Sequence, residues 1–443
     1  MEGKKAPKIL FVLMDGIGDV QTQELDNQTP LEKSKIPFMD AIAKSGITGI
    51  MDPVETGLSC GSDTAHMNIF GYNPFTLYKG RGAYETMGAG LDMNPGDIAF
   101  KCNFAHMDKD CIVKKRRVDR GFEKWGLPLI QSIDGMKIEG FEPYYISAKH
   151  ATEHRCGIKV TGGKNLTNNI TGTDPLKDNL KLRQVKAKDE KDEKAVFTAK
   201  LVNQLSNQLH EHLEKQEINL KRKEENKLTA NLVLLRGCGE RLDVPTFEEV
   251  HKLKGVMIAP TAIIRGLGMT IGMDTPVVEG ATGYYDSNFS NKLNCALDYL
   301  ENKEFDFGFI HIKATDDAGH DKSAKLKVES FEKVDKMLQE LAQKDGLKND
   351  YIICITGDHT TPYHKGDHTF EPVPVAITTI TNWKKQLNLE LNENQQKLIE
   401  FQKEIQDQVQ QFNEKSTGQG VLGRFPGQEL LGVLKKLRKK LAN

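Results

Sequence analysis

Residues 351–368 read YIICITGDHTTPYHKGDH. Tyr351, Ile352, Ile353 and Ile355 make an apolar, β-rich run that breaks at Gly357, and Asp358, His359, His364, Asp367 and His368 follow within eleven residues. A short buried strand ending in a polar loop is how α/β enzymes present chemistry at the carboxyl edge of a sheet. Imidazole and carboxylate together suit a divalent transition metal such as zinc or manganese. The plainer alternative is a solvated polar loop. The density of ligating groups directly after a strand favours the metal.

Working outward, the chain of 443 residues is long enough for a large core and for more than one domain. Its 38% hydrophobic and 28% charged content describes a globular protein, and a net charge of -1 gives no broad nucleic-acid footprint. The seven cysteines are scattered without a CxxC pair and read as reduced thiols of a cytosolic enzyme. No apolar run approaches the roughly 20 residues of a membrane helix, and Ile9–Met14 is too short for a signal peptide. A cytoplasmic protein without membrane or nucleic-acid partners is expected.

Three more stretches offer chemistry. KILFVLM at 8–14 reads as a buried parallel strand that delivers Asp15 into the turn Asp15-Gly16-Ile17-Gly18, where the aspartate is either functional or a turn cap. That turn lacks the third glycine of a dinucleotide fingerprint. In Ser59–Asn68 (SCGSDTAHMN), Ser62 stands where a tight turn begins a helix; free backbone N–H groups there favour a phosphate, although Ser62 or Asp63 could equally be an N-cap. The strand Phe307–Lys313 runs into ATDDAGHDK, in which Asp316 and His320 share one helical face.

The remaining segments predict a helix over Thr29–Ser45 divided at Pro37, an amphipathic helix over Ala195–Leu213 with His210 and His212 on the surface, and a solvated charged run at Lys221–Lys227. Ala262–Met269 reads as a turn-rich connection, and Gly418–Gly427 as a flexible loop before a basic helix. Strand, helix and strand in alternation give the α/β class. In a mostly parallel sheet the carboxyl ends line one edge, so Asp15, Ser62, Asp316, His320, Asp358, His359 and His368 can converge from what read as strand ends. Three carboxylates, three imidazoles and a hydroxyl suffice for two metal ions, an arrangement that serves in-line phosphoryl displacement with serine as nucleophile.

FVLMDGIGD, GSDTAHMNIFGYNP, RGAYETMGAGLDMNPGDIAFKCNF, HIKATDDAGHDK and ITGDHTTPYHKGDHTFEPVPV, in this order, resemble the cofactor-independent phosphoglycerate mutases, most closely their archaeal-type branch within the alkaline phosphatase superfamily. The resemblance implies an alkaline-phosphatase-like, mostly parallel sheet sandwiched by helices. Residues 1–94 and 254–443 would form this metal-binding domain, and 95–253 a smaller inserted α+β lid that binds substrate. It implies interconversion of 3-phosphoglycerate and 2-phosphoglycerate without bisphosphoglycerate. Ser62 matches the serine that is phosphorylated; Asp15, Ser62, Asp358 and His359 match ligands of one metal, and Asp316, His320 and His368 those of the other. Lys313 matches the lysine that contacts the phosphoryl group. The metals implied are two divalent ions, manganese first, with magnesium, cobalt or zinc as variants. In the insert, Arg117 and Arg155 are the substrate-binding candidates, and His154 and Asp174 the catalytic ones. His364 matches no family role and is taken as a loop residue. The rivals are a metal-dependent phosphatase or another phosphomutase of the superfamily, and a catalytically silent binding relative.

Overall fold

The run KILFVLM forms the strand Lys8–Met14, and Ile9 to Met14 are each 0% exposed. The structure, a computed structural model, describes residues 6–119, 121–151, 153–391 and 407–442. These fall into two compact units: Met1–Leu77, Pro245–Thr261 and Ile271–Asn443 form one, Tyr78–Val244 and Ala262–Thr270 the other.

The first unit is built on a seven-stranded sheet. Across it run Gly423–Pro426, Ile47–Asp52, Val373–Thr379, Tyr351–Thr356, Lys8–Met14, Phe307–Ile312 and Gly255–Ile258. Val373–Thr379 is antiparallel to both neighbours and the other pairings are parallel, giving the α/β class with a parallel-rich sheet. The three central strands are buried along their whole length, which explains why they read as continuous apolar runs. Register brings Met14 opposite Ile312 and Leu13 opposite Thr356, so Asp15, Lys313 and Gly357 leave the sheet together at one edge.

Aromatic packing fixes the helix Ser62–Ile69 to this sheet. The Phe70 ring meets Phe309 edge-on at 5.1 Å, and Phe247 lies 5.0 Å from Phe307. Burying each such ring contributes about 1.5–3 kcal/mol. Ser62 itself is not at a strand end: residues 53–61 separate its helix from Ile47–Asp52. The expected Thr29–Ser45 helix is two pieces, Pro30–Lys33 and Pro37–Lys44, with Thr29 closing a capping box with Glu32. The presumed flexible loop near the C-terminus contains the edge strand Gly423–Pro426, held by a two-pronged pairing of Arg424 with Asp52.

The second unit is an antiparallel α+β body. Tyr145–His150, Arg155–Thr161, Ile98–Met107, Ile112–Lys115 and Leu180–Lys181 lie side by side, and Leu232–Glu240 also pairs with Ile98–Met107. Phe100, Phe104 and Ile158 of these strands pack with Leu205 and Leu209 of the helix Glu193–Glu214. His210 and His212 on that helix are half-buried rather than on the surface, bonded to the Asn231 carbonyl and the Ser132 hydroxyl. The charged run 221–227 also departs from expectation. Arg222 is fully buried over the Phe122 ring and donates to Leu228 O and Asp119.

This unit does not follow the expected insert 95–253. It begins at Tyr78 and includes the helix Ala262–Thr270, where the sequence suggested turns. Glycine explains the difference: a Cβ at Gly266 would lie 1.9 Å from Tyr84 O. The glycine is there for contact with the helix Gly82–Gly88, and its low helix propensity hid the helix.

Candidate functional site

Four loops and helix starts converge at the edge of the first unit's sheet. Asp15, 1% exposed, turns its Oδ2 to His311 Nε2 at 3.0 Å and to Lys313 Nζ at 3.5 Å. Its Oδ1 faces His359 Nε2 at 3.2 Å and the Ser62 hydroxyl at 3.4 Å. Gly16 then takes φ +62° and donates its N–H to Asp358 Oδ1. A Cβ there would lie 2.6 Å from Thr361 Oγ1 and 2.7 Å from Asp316 Oδ1, so only glycine lets the loops close to this distance.

Ser62 is the first residue of its helix. The cap is Gly61 and makes no side-chain bond, so the N-cap alternative for Ser62 fails. Its Oγ instead lies 3.2 Å from His359 Nε2. His66, one turn on, donates its Nδ1–H to the Ser62 carbonyl at 2.7 Å.

Two groups of ligating atoms result, each with its atoms within 4.8 Å of one another: Asp15, Asp358 and His359; and Asp316, His320 and His368. The imidazoles share one pattern. His320 Nδ1 meets Gly366 O at 3.0 Å, His368 Nδ1 meets Cys60 O at 2.8 Å, and His359 Nδ1 meets Thr361 Oγ1 at 3.1 Å. Each Nδ1–H is thus anchored, and each Nε2 is left facing the carboxylates. Outer oxygen acceptors that orient imidazoles in this way are characteristic of metal-binding histidines.

The electrostatics agree. Burial and then the Asp15 charge push the Asp358 carboxyl up to about 8. Its Oδ2, fully buried, finds no hydrogen-bond partner among the described residues. An ordinary polar site would not leave such an atom unpaired, whereas a cation placed beside it would satisfy it. Burial also opposes ionisation of Asp15, but Lys313, His311 and His359 outweigh it and hold that carboxyl well below the usual range. For Lys313 too, burial works against the charge, yet Asp15, Asp316 and Asp317 keep it firmly protonated, with a direct contact to Asp316. The donor set therefore fits divalent metal. His364 is exposed and touches only the Tyr363 ring among the contacts described.

The second unit holds the other candidates. Asp174 is 5% exposed and gripped by Arg116 through bonds of 2.6 and 2.7 Å, and by Arg236 at 2.7 Å. Burial raises its carboxyl, but these guanidiniums win and leave it lowered. His154 is buried with both ring nitrogens unpaired among the described residues; burial, then Arg155 and Arg117, keep it neutral. Arg117 and Arg155 are exposed.

A family model described as 2,3-bisphosphoglycerate-independent phosphoglycerate mutase matches residues 43–219. The protein of that name from Methanopyrus kandleri is 34% identical over 98% of this chain and 97% of its own length. The one from Sulfurisphaera tokodaii is 39% identical over 84% and 88%. The chain belongs to this mutase family. Among solved structures, a protein of Pyrococcus horikoshii superposes with a TM-score of 0.76 at 29% identity, covering 98% of each chain. The cofactor-independent phosphoglycerate mutase of Thermoplasma acidophilum does so with 0.67 at 28% identity, over 98% of this chain and 100% of that one.

Within this mutase-family chain several site residues escaped the sequence reading. His311 orients Asp15 from inside a strand that read only as core. His66 lies four residues after Ser62 on the same helix, a spacing that could have flagged it. Arg116 and Arg236, neither of them singled out in the sequence, engage Asp174. No helix among the described residues is long and apolar enough to cross a membrane.

Proposed function

We propose that the chain interconverts 3-phosphoglycerate and 2-phosphoglycerate without bisphosphoglycerate, through a phosphorylated Ser62. The observation that carries this reading is the Ser62 hydroxyl within 3.4 Å of both Asp15 and His359, with the Lys313 ammonium 3.5 Å from the other Asp15 oxygen. Asp15, Ser62, Asp358 and His359 would hold one divalent ion, and Asp316, His320 and His368 the other. When bound, the ions supply charge neutralisation at the phosphoryl oxygens and ease loss of the serine proton. Manganese is the ion we expect first, from the resemblance to cofactor-independent mutases; the mixed imidazole and carboxylate ligands admit zinc, cobalt or magnesium as well.

In the forward direction Ser62 Oγ attacks phosphorus in line, the P–O bond to carbon 3 breaks, and the glycerate oxygen that leaves takes up a proton. Lys313 steadies charge on the group in transfer. The 2-hydroxyl then attacks the phosphoserine, gives up its proton and frees Ser62. The second unit, proposed to include the substrate-binding lid sought at 95–253, contributes Arg117 and Arg155 for the glycerate carboxylate and His154, neutral at pH 7, to carry the proton. Asp174, with its oxygens taken by two guanidiniums, is better suited to fixing those arginines than to proton transfer. Excluding water during the reorientation is what separates a mutase from a phosphatase on the same residues. We place this reaction in the cytoplasm, with phosphoglycerate as the only small-molecule partner required.

Rapid quenching after mixing with 3-phosphoglycerate, followed by peptide mass spectrometry, tests the intermediate. Phosphate on Ser62 supports the reading; phosphate on a histidine, or a chain that turns over without modification, overturns it.

A further inference from the structure

Thr361 lies between the two ligand groups, fully buried, with a single hydroxyl that touches both. Its Oγ1 is 2.6 Å from Asp316 Oδ1, in one group, and 3.1 Å from His359 Nδ1, in the other. A hydroxyl has one proton to give and lone pairs to receive. Asp316, an ionised carboxylate against Lys313, can only accept, so the Thr361 proton goes to Asp316. His359 must then be the donor at Nδ1. The proton order is forced along the chain from His359 to Thr361 to Asp316, and it makes Nε2, turned to Asp15 and Ser62, the nitrogen left to bind metal.

The main chain of Thr361 is anchored with equal completeness. Lys327, 0% exposed, gives its three ammonium protons to Thr361 O at 2.8 Å, Gly18 O at 2.9 Å and Asp19 Oδ2 at 2.8 Å. Thr361 N–H bonds Gly18 O at 3.1 Å. The loop after Asp15 and the loop after His359 are thereby fastened to one cation. On the far side, a Cβ at Gly319 would lie 2.4 Å from Thr361 O, so the Asp316–His320 helix also closes on this residue.

We propose that Thr361 is a positioning residue that couples the two metal groups: one hydroxyl sets the His359 tautomer and aims Asp316, and Lys327 fixes where that hydroxyl stands. The inference rests on the two-metal reading above. His320 and His368 are oriented by main-chain carbonyls, which no substitution removes, whereas the His359 acceptor is a side chain. Removing it should let the ring turn its N–H toward the ligand position while Asp316 Oδ1 loses the hydroxyl that aims it, so both groups weaken at once.

The test is titration of Mn2+ into the full metal-stripped chain, with free Mn2+ followed by electron paramagnetic resonance, in wild type, Thr361→Val and Thr361→Ser. Valine has the shape of threonine without the hydroxyl. We expect wild type to bind two Mn2+, Thr361→Val to bind both about 10- to 100-fold more weakly, and Thr361→Ser to remain within a few-fold of wild type because Lys327 still holds the backbone. Thermal melting of the stripped proteins identifies any variant that fails to fold. A Thr361→Val chain that melts lower but binds two Mn2+ as tightly as wild type would show a purely structural hydroxyl and overturn the inference alone. Wild type that binds no Mn2+ would overturn the two-metal reading and this inference with it. A serine variant that folds as wild type does but binds as weakly as the valine variant would also count against the hydroxyl.

Discussion

His320 and His368 turn their Nε2 atoms toward each other at 3.2 Å, while main-chain carbonyls hold both Nδ1 atoms. In the metal-free site a proton on His320 Nε2 bridges this gap, and a cation beside Asp316 would take that proton's place between the two rings. Stripping divalent metal should therefore abolish turnover. Because the site sits on the edge of an extensive buried sheet, the fold should survive, with unchanged far-ultraviolet circular dichroism, and added Mn2+ should restore activity. Full activity in stripped protein would remove metal from the account.

Ser62→Ala should lower turnover by at least about a thousandfold, since among the described residues no other hydroxyl bonds both the Asp15 carboxylate and His359 Nε2. Stability should change by no more than about 0.5 kcal/mol, because Ser62 is half-buried and caps nothing. Activity assays with urea melts of the same preparation check both halves. A variant retaining a tenth of wild-type activity would place the nucleophile elsewhere.

Acid should act through metal binding. In the metal-free protein burial, then Asp15, hold Asp358 at about 8, and the bond to Asp316 holds His320 at about 9. Burial works to lower His359, but Asp358 and Asp15 outweigh it and carry it to about 9. Raised values mean that His320, and at least one member of the adjoining Asp358–His359 pair, hold protons at pH 7 that must leave when metal binds. Affinity should therefore rise with pH from 6 to 9, with proton release measurable by calorimetry in buffers of different ionisation enthalpy. The acid limb of activity should move to lower pH as Mn2+ is raised. A limb fixed at every Mn2+ concentration would exclude this competition.

Arg222→Ala should destabilise the chain by about 2–4 kcal/mol, since it empties a fully buried site and leaves the Leu228 carbonyl and Asp119 without their donor. Denaturant melts measure this. A loss under 0.5 kcal/mol would mean that water replaces the guanidinium at no cost.

What the sequence made legible follows from period and boundary. Lys8–Met14, Phe307–Ile312 and Tyr351–Thr356 are buried on both faces, so they read as apolar runs, and the polar residues after them could be placed at one edge before any distance was known. Roles that depend on a partner far away in sequence left no such mark. Thr361 gains its place by meeting Asp316, His311 by meeting Asp15, and Arg222 by stacking over Phe122. Ala262–Thr270 was hidden because Gly266 serves close packing at the expense of helix propensity.

The most direct test is to incubate the metal-loaded chain with 3-phosphoglycerate in 18O-labelled water, with no bisphosphoglycerate present. Transfer through Ser62 with water excluded yields 2-phosphoglycerate whose phosphoryl group carries no 18O. Inorganic phosphate bearing 18O as the main product, or no 2-phosphoglycerate until bisphosphoglycerate is added, would contradict it.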